Sequence, residues 1–267
     1  VSLATTMPEI LVSLFASATR HTSLALGNVV GSGLVNLGLL LGIIFLSGKI
    51  SEPQVEQGRR RSLILFGLIL FVSFWFLVVG KINFYGGLIL IAFAFAFLIY
   101  TFRYALRESG DSLSFIENTI EGNYKVVFKF LLGAFLLVGG ARFLVDSAIN
   151  LSPLFGMPEI VVGLVLVAIG TSLPELILAA IALFSGHTKI SMGNLTGATV
   201  LTFTLALGIA ATVTEVKIEP GMLNLELLML VFFAGISVLL TFFPRLPKRL
   251  FGGTLILGYI FYLVTLF

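Results

Sequence analysis

Apolar segments long enough to cross a lipid bilayer follow one another along almost the whole chain of 267 residues. A bilayer core of about 30 Å needs roughly 20 apolar residues per helix. The polar breaks delimit such segments at 1–19, 24–47, 63–79, 84–104, 126–151, 160–184, 190–213, 222–243 and 250–267. Only 11% of the residues are charged, against about a quarter in soluble domains. The sequence lacks the alternation of apolar and polar residues that is typical of membrane strands. It therefore predicts an all-α membrane protein of about nine spans, embedded in the lipid bilayer.

The basic residues in the breaks predict the orientation of these spans. If the spans alternate in direction, one side of the membrane collects most of the Lys and Arg residues, and that side should be cytoplasmic. The residues on this side are Lys49, Arg59, Arg60, Arg61, Arg103, Arg107, Lys125, Lys189, Arg245, Lys248 and Arg249. We therefore expect a multi-pass protein of the cell membrane with a cytoplasmic linker at 107–123 and an extracytoplasmic C-terminus. The formal charge of +3 forms no basic stripe, so nucleic acid is not an expected partner.

A set of polar, glycine and proline positions recurs 166 residues further along the chain. The matched pairs are Thr5 and Thr171, Pro8 and Pro174, Glu9 and Glu175, His21 and His187, Thr22 and Thr188, Gly27 and Gly193, Asn28 and Asn194, Gly31 and Gly197, and Gly42 and Gly208. An odd number of spans separates the copies, so they should cross the membrane in opposite directions. Inverted repeats of this kind are typical of secondary transporters, which bind substrate between the halves.

The repeat also predicts how the chain is divided. We expect a first repeat at 1–106, a linker at 107–123 and a second repeat at 124–267. The start of the second repeat has its counterpart before Val1. The first repeat is therefore expected to lack its first helix and part of its second, which leaves about nine spans of an expected ten.

Each repeat places a carboxylate inside an apolar span, directly after a proline. The two motifs are Thr5-Thr6-Met7-Pro8-Glu9 and Thr171-Ser172-Leu173-Pro174-Glu175. An ionisable group within the membrane is costly, so its default interpretation is functional. Proline removes a backbone hydrogen bond and frees the carbonyl four residues earlier. Freed carbonyls, hydroxyls and a carboxylate are hard oxygen ligands, which favour Ca²⁺ or Na⁺; a plain proline kink with a hydrogen-bonded glutamate is the alternative.

A second repeated element adds polar residues to the span that follows. Asn28, Ser32 and Asn36 are four residues apart and should share one helical face. The corresponding positions in the second copy are Asn194, Ala198 and Thr202.

These motifs together resemble the sodium/calcium exchanger family, within the calcium/cation antiporters. The resemblance implies an inverted-repeat bundle of ten helices that moves Ca²⁺ out as Na⁺ enters, with four central ion sites. It implies that Glu9 and Glu175 are the calcium carboxylates, with Thr6 and Ser172 as sodium-site hydroxyls. The other implied ligand positions are Thr5 and Thr171, which donate carbonyls, and Ser32, Asn36 and Thr202.

The second repeat departs from the family pattern at two of these positions. Ala198 stands where a serine is usual, and Thr202 where an acidic or amide residue is usual. A proton-coupled calcium antiporter therefore remains an alternative, since protons on the two glutamates could replace sodium. A cation channel is a further alternative.

Enzyme functions lack the motifs that they require. The chain has no cysteine and two histidines, with no His-Glu-x-x-His, Gly-x-Ser-x-Gly or Walker sequence. We expect no enzymatic activity and no cofactor apart from the transported Ca²⁺ and Na⁺. Away from these motifs, Arg142 and Asp146 should form an ion pair one helical turn apart. His21 and His187 are expected to cap interfacial helix ends, with modulation by pH as the alternative.

Overall fold

The structure is a computed structural model that describes residues 2–48, 63–64, 67–68, 71–72, 75, 79–108, 124–185, 188–219, 221–243 and 245–266. The linker predicted at 107–123 lies outside these residues, apart from its first two positions, which continue a helix. The span predicted at 63–79 is described in part, and its described positions are helical.

The first part of the chain forms two short helices, a long interrupted helix and a further long helix. In chain order the elements are α1 (Ser2–Thr5), α2 (Met7–Ala18), α3 (Thr22–Leu34), the π-helical segment π1 (Val35–Leu40), α4 (Leu41–Ser47), β1 (Lys81–Ile82) and α5 (Phe84–Glu108).

The second part repeats this order after a long helix and ends in two more helices. Its elements are α6 (Tyr124–Phe155), α7 (Glu159–Val162), π2 (Gly163–Val167), α8 (Ala168–Thr171), α9 (Leu173–Phe184), α10 (Thr188–Leu201), π3 (Thr202–Ala206), α11 (Leu207–Val213), β2 (Val216–Lys217), α12 (Asn224–Phe242) and α13 (Lys248–Leu266).

The helix boundaries recur with the same offset as the sequence motifs. The bounds of α1, α2 and α4 return 166 positions later as those of α8, α9 and α11. Both copies also contain a π-helical segment at the matched position, because π3 corresponds to π1. A π-helical turn inside an α-helix often marks a functional site.

The two proline residues explain where the helices break. Pro8 and Pro174 each occupy the first turn of a helix, α2 and α9, where the missing N–H group is tolerated. The residue before each helix, Thr6 or Ser172, interrupts the preceding turn. In the second copy the axes of Glu159–Thr171 and Leu173–Phe184 meet at 44°, which confirms the predicted kink there.

The described helices confirm an all-α membrane fold. Five helical runs are long and apolar enough to cross a bilayer, or six if the bent pair is one span. They are Thr22–Ser47, Phe84–Arg103, Leu131–Phe155, Met192–Val213 and Lys248–Leu266, with Glu159–Phe184 as the bent pair. Met7–Ala18 and Asn224–Leu240 are shorter apolar helices.

Burial separates the spans into an inner pair and an outer set. In Thr22–Ser47 and Met192–Val213, 83% and 78% of the most apolar stretch is buried, against 17–28% in the spans at Phe84–Arg103, Leu131–Phe155 and Lys248–Leu266. The inner pair are counterparts in the repeat. The core is therefore formed by equivalent helices of the two copies, and the outer helices turn apolar side chains outward.

Glycine allows α3 to pack directly against the backbone of the second repeat. A Cβ atom on Gly27 would lie 2.4 Å from the Ile160 carbonyl oxygen, and one on Gly31 would lie 2.4 Å from that of Leu164. Gly163 lies on the other side of the same contact, where an added Cβ atom would be 2.7 Å from the Leu24 carbonyl oxygen. Small residues permit such close helix approach in membranes, so this crossing fixes α3 to α7, π2 and α8.

Substitution of Gly27 tests this crossing. Gly27→Ala should lower the free energy of unfolding by about 1–3 kcal/mol, because the added methyl group meets backbone atoms that cannot rotate away. Thermal unfolding of the purified protein in detergent measures the loss. Gly253→Ala in α13 is the matched control, since its Cβ would meet nothing within 4 Å. Equal unfolding temperatures for both variants would contradict the close crossing.

Candidate cation site

Two buried carboxylates lie at the start of the helices that follow the breaks. Glu9 belongs to the first turn of α2 and Glu175 to the first turn of α9. Each residue is only 1% exposed. Ser172, which directly precedes α9, donates a hydrogen bond to Glu9, so the two repeats bring their acidic segments together. The N-terminal end of a helix favours negative charge, which offsets part of the cost of burying them.

Most of the carboxylate oxygens have no hydrogen-bond partner among the described residues. Glu9 Oε1 accepts a long hydrogen bond of 3.4 Å from Ser172 Oγ. Glu9 Oε2 and both oxygens of Glu175 are buried and accept none. Because buried polar atoms in proteins are nearly always paired, three buried carboxylate oxygens without a partner indicate a site that binds cations.

The hydroxyl groups of the first break both donate to one backbone carbonyl. Thr6 Oγ1 donates to the Ser2 carbonyl at 2.7 Å, and Thr5 Oγ1 donates to the same carbonyl at 3.2 Å. Thr5 also lies beside Glu175 without completing a hydrogen bond to it. A hydroxyl that donates its hydrogen keeps lone pairs for a metal ion, so both groups remain able to act as ligands.

Thr171 links the second break to α3 of the first repeat. Its Oγ1 donates to Asn28 Oδ1 at 3.0 Å and lies 3.3 Å from Ser32 Oγ. All three side chains are buried. The hydroxyls of Thr171 and Ser32 are therefore part of one polar network that crosses from one repeat to the other.

Asn36 is the second residue of π1, and Thr202 is the first residue of π3. Asn36 is fully buried, and neither atom of its amide group has a hydrogen-bond partner in the described part of the chain. Thr202 Oγ1 donates back to the Ala198 carbonyl at 2.9 Å. π1 packs against α9 and π3 against α2, so each residue belongs to a segment that contacts the acidic helix of the opposite repeat.

The predicted site residues thus differ in their contacts. Ser172 donates to Glu9, Thr171 and Ser32 form the cross-repeat network, and Glu175 and Asn36 have no hydrogen-bond partner for their side chains among the described residues. The hydrogen bonds of Thr6 and Thr202 run to backbone carbonyls of their own segments. Within the described ranges no cluster of three or more His, Cys, Asp or Glu residues could hold a metal ion, so a cation bound here would combine two carboxylates with neutral oxygens.

The structure adds buried polar residues that were not among the predicted ligands. Asn28 Nδ2 donates to the Glu9 carbonyl at 3.2 Å and to Ser13 Oγ at 3.0 Å. Its counterpart Asn194 contacts Thr5 at 3.4 Å. The recurrence of Asn28 as Asn194, and the spacing of Glu9, Ser13 and Ser17, were the available sequence signals.

Two polar contacts lie outside the site. Arg142 Nε and Asp146 Oδ2 are 3.1 Å apart, which confirms the predicted ion pair. His21 directly precedes α3, yet its side chain does not cap that helix. Its Nδ1 lies 2.7 Å from Glu159 Oε1 instead, so the predicted role in capping is wrong for His21, because a carboxylate is the closer partner. His187 lies outside the described residues.

The structure is a helical membrane bundle in which each repeat has a broken helix with a buried carboxylate. This arrangement is typical of secondary transporters. The sequence model of the family described as sodium/calcium exchanger protein matches residues 1–103 and 125–267. The chain therefore belongs to the sodium/calcium exchanger family, and with it to the cation antiporters.

Individual relatives agree with this family. The chain is 34% identical to the inner membrane protein YrbG of Escherichia coli K12, over 82% of this chain and 69% of the relative. It is 27% identical to the sodium/calcium exchanger MaX1 of Methanosarcina acetivorans, over 100% of this chain and 87% of the relative. A solved structure of the sodium-calcium exchanger NCX_Mj has the same fold, with a TM-score of 0.65, 24% identity, and coverage of 98% and 83% of the two chains. The predicted exchanger-type fold is thus confirmed.

Removal of the carboxylate charge of Glu9 or Glu175 should remove most of the stabilisation by calcium. A ligand at about a hundred times its Kd stabilises the folded state by ~2.7 kcal/mol. Ca²⁺ should raise the unfolding temperature of the unaltered protein, whereas Glu9→Gln and Glu175→Gln should remove most of the rise. The matched control is Glu226→Gln, since Glu226 is also buried but lies in α12. The measurement is thermal unfolding with and without Ca²⁺, and a full rise in Glu175→Gln would contradict the site.

Proposed function

We propose that this protein exchanges Ca²⁺ for Na⁺ across the cell membrane by alternating access. The ions bind near the midplane, between a first repeat at 1–106 and a second repeat at 124–267. Glu9 and Glu175 bind Ca²⁺, and neutral oxygens complete the sites for both ions. The residues that supply these oxygens are Thr5, Thr6, Ser32, Asn36, Thr171, Ser172 and Thr202.

The observation that carries this proposal is the set of buried oxygens without partners. Glu9 Oε2 and both Glu175 oxygens accept no hydrogen bond from any described residue, and the amide of Asn36 is also unpaired. Carboxylate and amide oxygens are ligands that Ca²⁺ and Na⁺ prefer. Family membership adds independent support, because the relative MaX1 is named as a sodium/calcium exchanger.

Shared ligands explain why transport would be an exchange. Two neighbouring carboxylates in a dry site repel each other, and either a divalent ion or sodium ions can compensate them. Because both kinds of ion use Glu9 and Glu175, full occupancy by one excludes the other. If passage through the occluded state requires compensated charge, the halves change their orientation only when loaded, and the two fluxes become coupled.

Sidedness follows from the distribution of basic residues. The loops rich in Lys and Arg lie in the cytoplasm, together with the linker at 107–123, and the C-terminus lies outside. Calcium export would then be driven by Na⁺ ions that enter from the extracytoplasmic side down their gradient.

Proton coupling is the second candidate, and Ala198 favours it. This residue is fully buried at the position that corresponds to Ser32, so the second repeat offers a methyl group where the first offers a hydroxyl. Thr202 Oγ1 donates its hydrogen to the Ala198 carbonyl. With fewer oxygens for sodium, protons on the two glutamates could provide the countercharge.

Calcium uptake into proteoliposomes tests the proposed coupling. Vesicles loaded with Na⁺ and diluted into sodium-free medium should accumulate Ca²⁺, whereas vesicles with equal Na⁺ on both sides should not. A pH gradient without Na⁺ should drive no uptake. Uptake driven by the pH gradient alone would favour proton coupling, and a calcium current without any counter-ion would identify a channel.

The Glu175→Gln variant tests the role of the carboxylate in that assay. It should lose calcium uptake, because one of the two charges that bind Ca²⁺ is missing. Glu226→Gln should retain uptake as the control for removing a buried carboxyl group. Undiminished uptake by Glu175→Gln would contradict the proposed function.

A further inference from the structure

The contact between His21 and Glu159 joins the two repeats at the end of α2. The Nδ1 atom of His21 and the Oε1 atom of Glu159 are 2.7 Å apart. His21 lies in the turn between α2 and α3, and Glu159 is the first residue of α7. Their side chains are 31% and 30% exposed, so both groups are accessible to protons from water. The pair has no part in the candidate cation site.

The backbone of this turn fixes the position of His21. The N–H group of His21 donates to the Ala16 carbonyl at 2.8 Å. Arg20 has a positive φ of 68°, and its N–H group donates to the Ser17 carbonyl at 3.0 Å. These two bonds form a helix C-terminal motif that normally has glycine at the left-handed position. An arginine there is uncommon and strained, and the corresponding residue of the second copy is Gly186.

The second repeat contacts this strained turn from two directions. Thr214, which directly follows α11, donates from its Oγ1 atom to the Ser17 carbonyl at 2.8 Å, and Glu159 contacts His21. The close glycine crossing of α3 and α7 lies next to the turn. The backbones at His21 and Glu159 therefore stay adjacent whether or not the imidazole is charged. A change of charge on His21 alters the free energy of this contact without any movement of the helices.

The carboxylate of Glu159 favours a positive charge on His21. Imidazole groups ordinarily gain a proton between about pH 8 and pH 5, and hydrogen bonds to charged groups are stronger than neutral ones. The N-terminal end of the helical run Glu159–Thr171 stabilises the negative charge of Glu159. Arg20 and the N-terminus of α3 act in the opposite direction. Arg20 is exposed and screened by water, whereas the carboxylate is in direct contact, so the attraction is the larger effect.

The other charged groups on the packed elements leave Glu159 as the partner of His21. α3 carries no charged residue, and the one charged residue of α2, Glu9, lies in its first turn. On α6, which packs against α7, Arg142 and Asp146 are paired with each other. β2 packs against α3 and pairs with β1. The charged residues on or beside these two strands are two of each sign, namely Lys81, Lys217, Glu215 and Glu219.

We propose that His21 is a proton-binding site through which acid strengthens the contact between the two repeats. At acidic pH the imidazolium of His21 and the carboxylate of Glu159 attract each other. This stabilisation is lost as the pH rises past neutrality, because the imidazole releases its proton to water and only a neutral hydrogen bond remains. The inference goes beyond the proposed function, since the ligand is a proton at the end of α2 and no transported ion is involved.

Substitutions that fix the charge at position 21 test this site. His21→Gln keeps a hydrogen-bond donor but is neutral at every pH, whereas His21→Lys keeps a positive charge. Position 21 is 31% exposed, so neither polar side chain is newly buried. The measurement is thermal unfolding of the full chain in detergent without Ca²⁺, at about pH 6 and about pH 8, within the range in which imidazole titrates.

The unfolding temperatures should separate the two charge states. His21→Gln should lower the unfolding temperature by about 2–4 °C more at the acidic pH than at the alkaline one. His21→Lys should change it equally at both. In the Glu159→Gln protein the pH dependence of the His21→Gln effect should vanish, because the attracting carboxylate is missing. Groups that titrate elsewhere are common to all variants and cancel in this cycle.

His187→Gln is the matched control, because the chain contains only these two histidines. Its effect should be the same in the unaltered and the Glu159→Gln protein at each pH. An equal loss for His21→Gln at both pH values would overturn the proposal, as would a pH-dependent loss that persists in the Glu159→Gln protein. Neither outcome bears on the exchange of Ca²⁺ for Na⁺, which the uptake assay tests separately.

Discussion

The burial of two carboxylates in one apolar interior is the constraint on which the rest of the structure depends. An ionised carboxylate loses several kcal/mol of solvation when it leaves water, and two ionised carboxylates in one dry site also repel each other. The helix N-termini on which Glu9 and Glu175 lie offset part of this cost. In the function that we propose, bound cations offset the larger part, so the repulsion that would destabilise the empty site is the source of its affinity.

The surrounding helices hold the two repeats together. α3 is fixed to α7, π2 and α8 because glycine brings the backbones together, and Asn28 adds buried hydrogen bonds at the same boundary. Thr5 and Asn194 also meet across the repeats. These contacts join two repeats that each carry one of the carboxylates.

The sequence was most informative where a physical rule is local. Proline at positions 8 and 174 predicted the helix breaks, and the recurrence after 166 residues predicted equivalent segments with matching bounds. Side-chain partners could not be predicted in the same way. Asn28, Ser32 and Asn36 share a face in a regular helix, but Asn36 lies within π1, where the wider turn changes the phase. Of the three, Asn28 and Ser32 reach Thr171, through hydrogen bonds that their spacing alone does not reveal.

The position of a bound divalent ion would show whether the two carboxylates share one site. Crystals of this protein grown with Sr²⁺ in place of Ca²⁺ would locate the ion by its anomalous scattering. We expect one strong peak in contact with carboxylate oxygens of both Glu9 and Glu175, and its loss when the crystals are equilibrated with excess Na⁺. A peak bound to only one of the two residues, or one that persists at high Na⁺, would contradict a shared site.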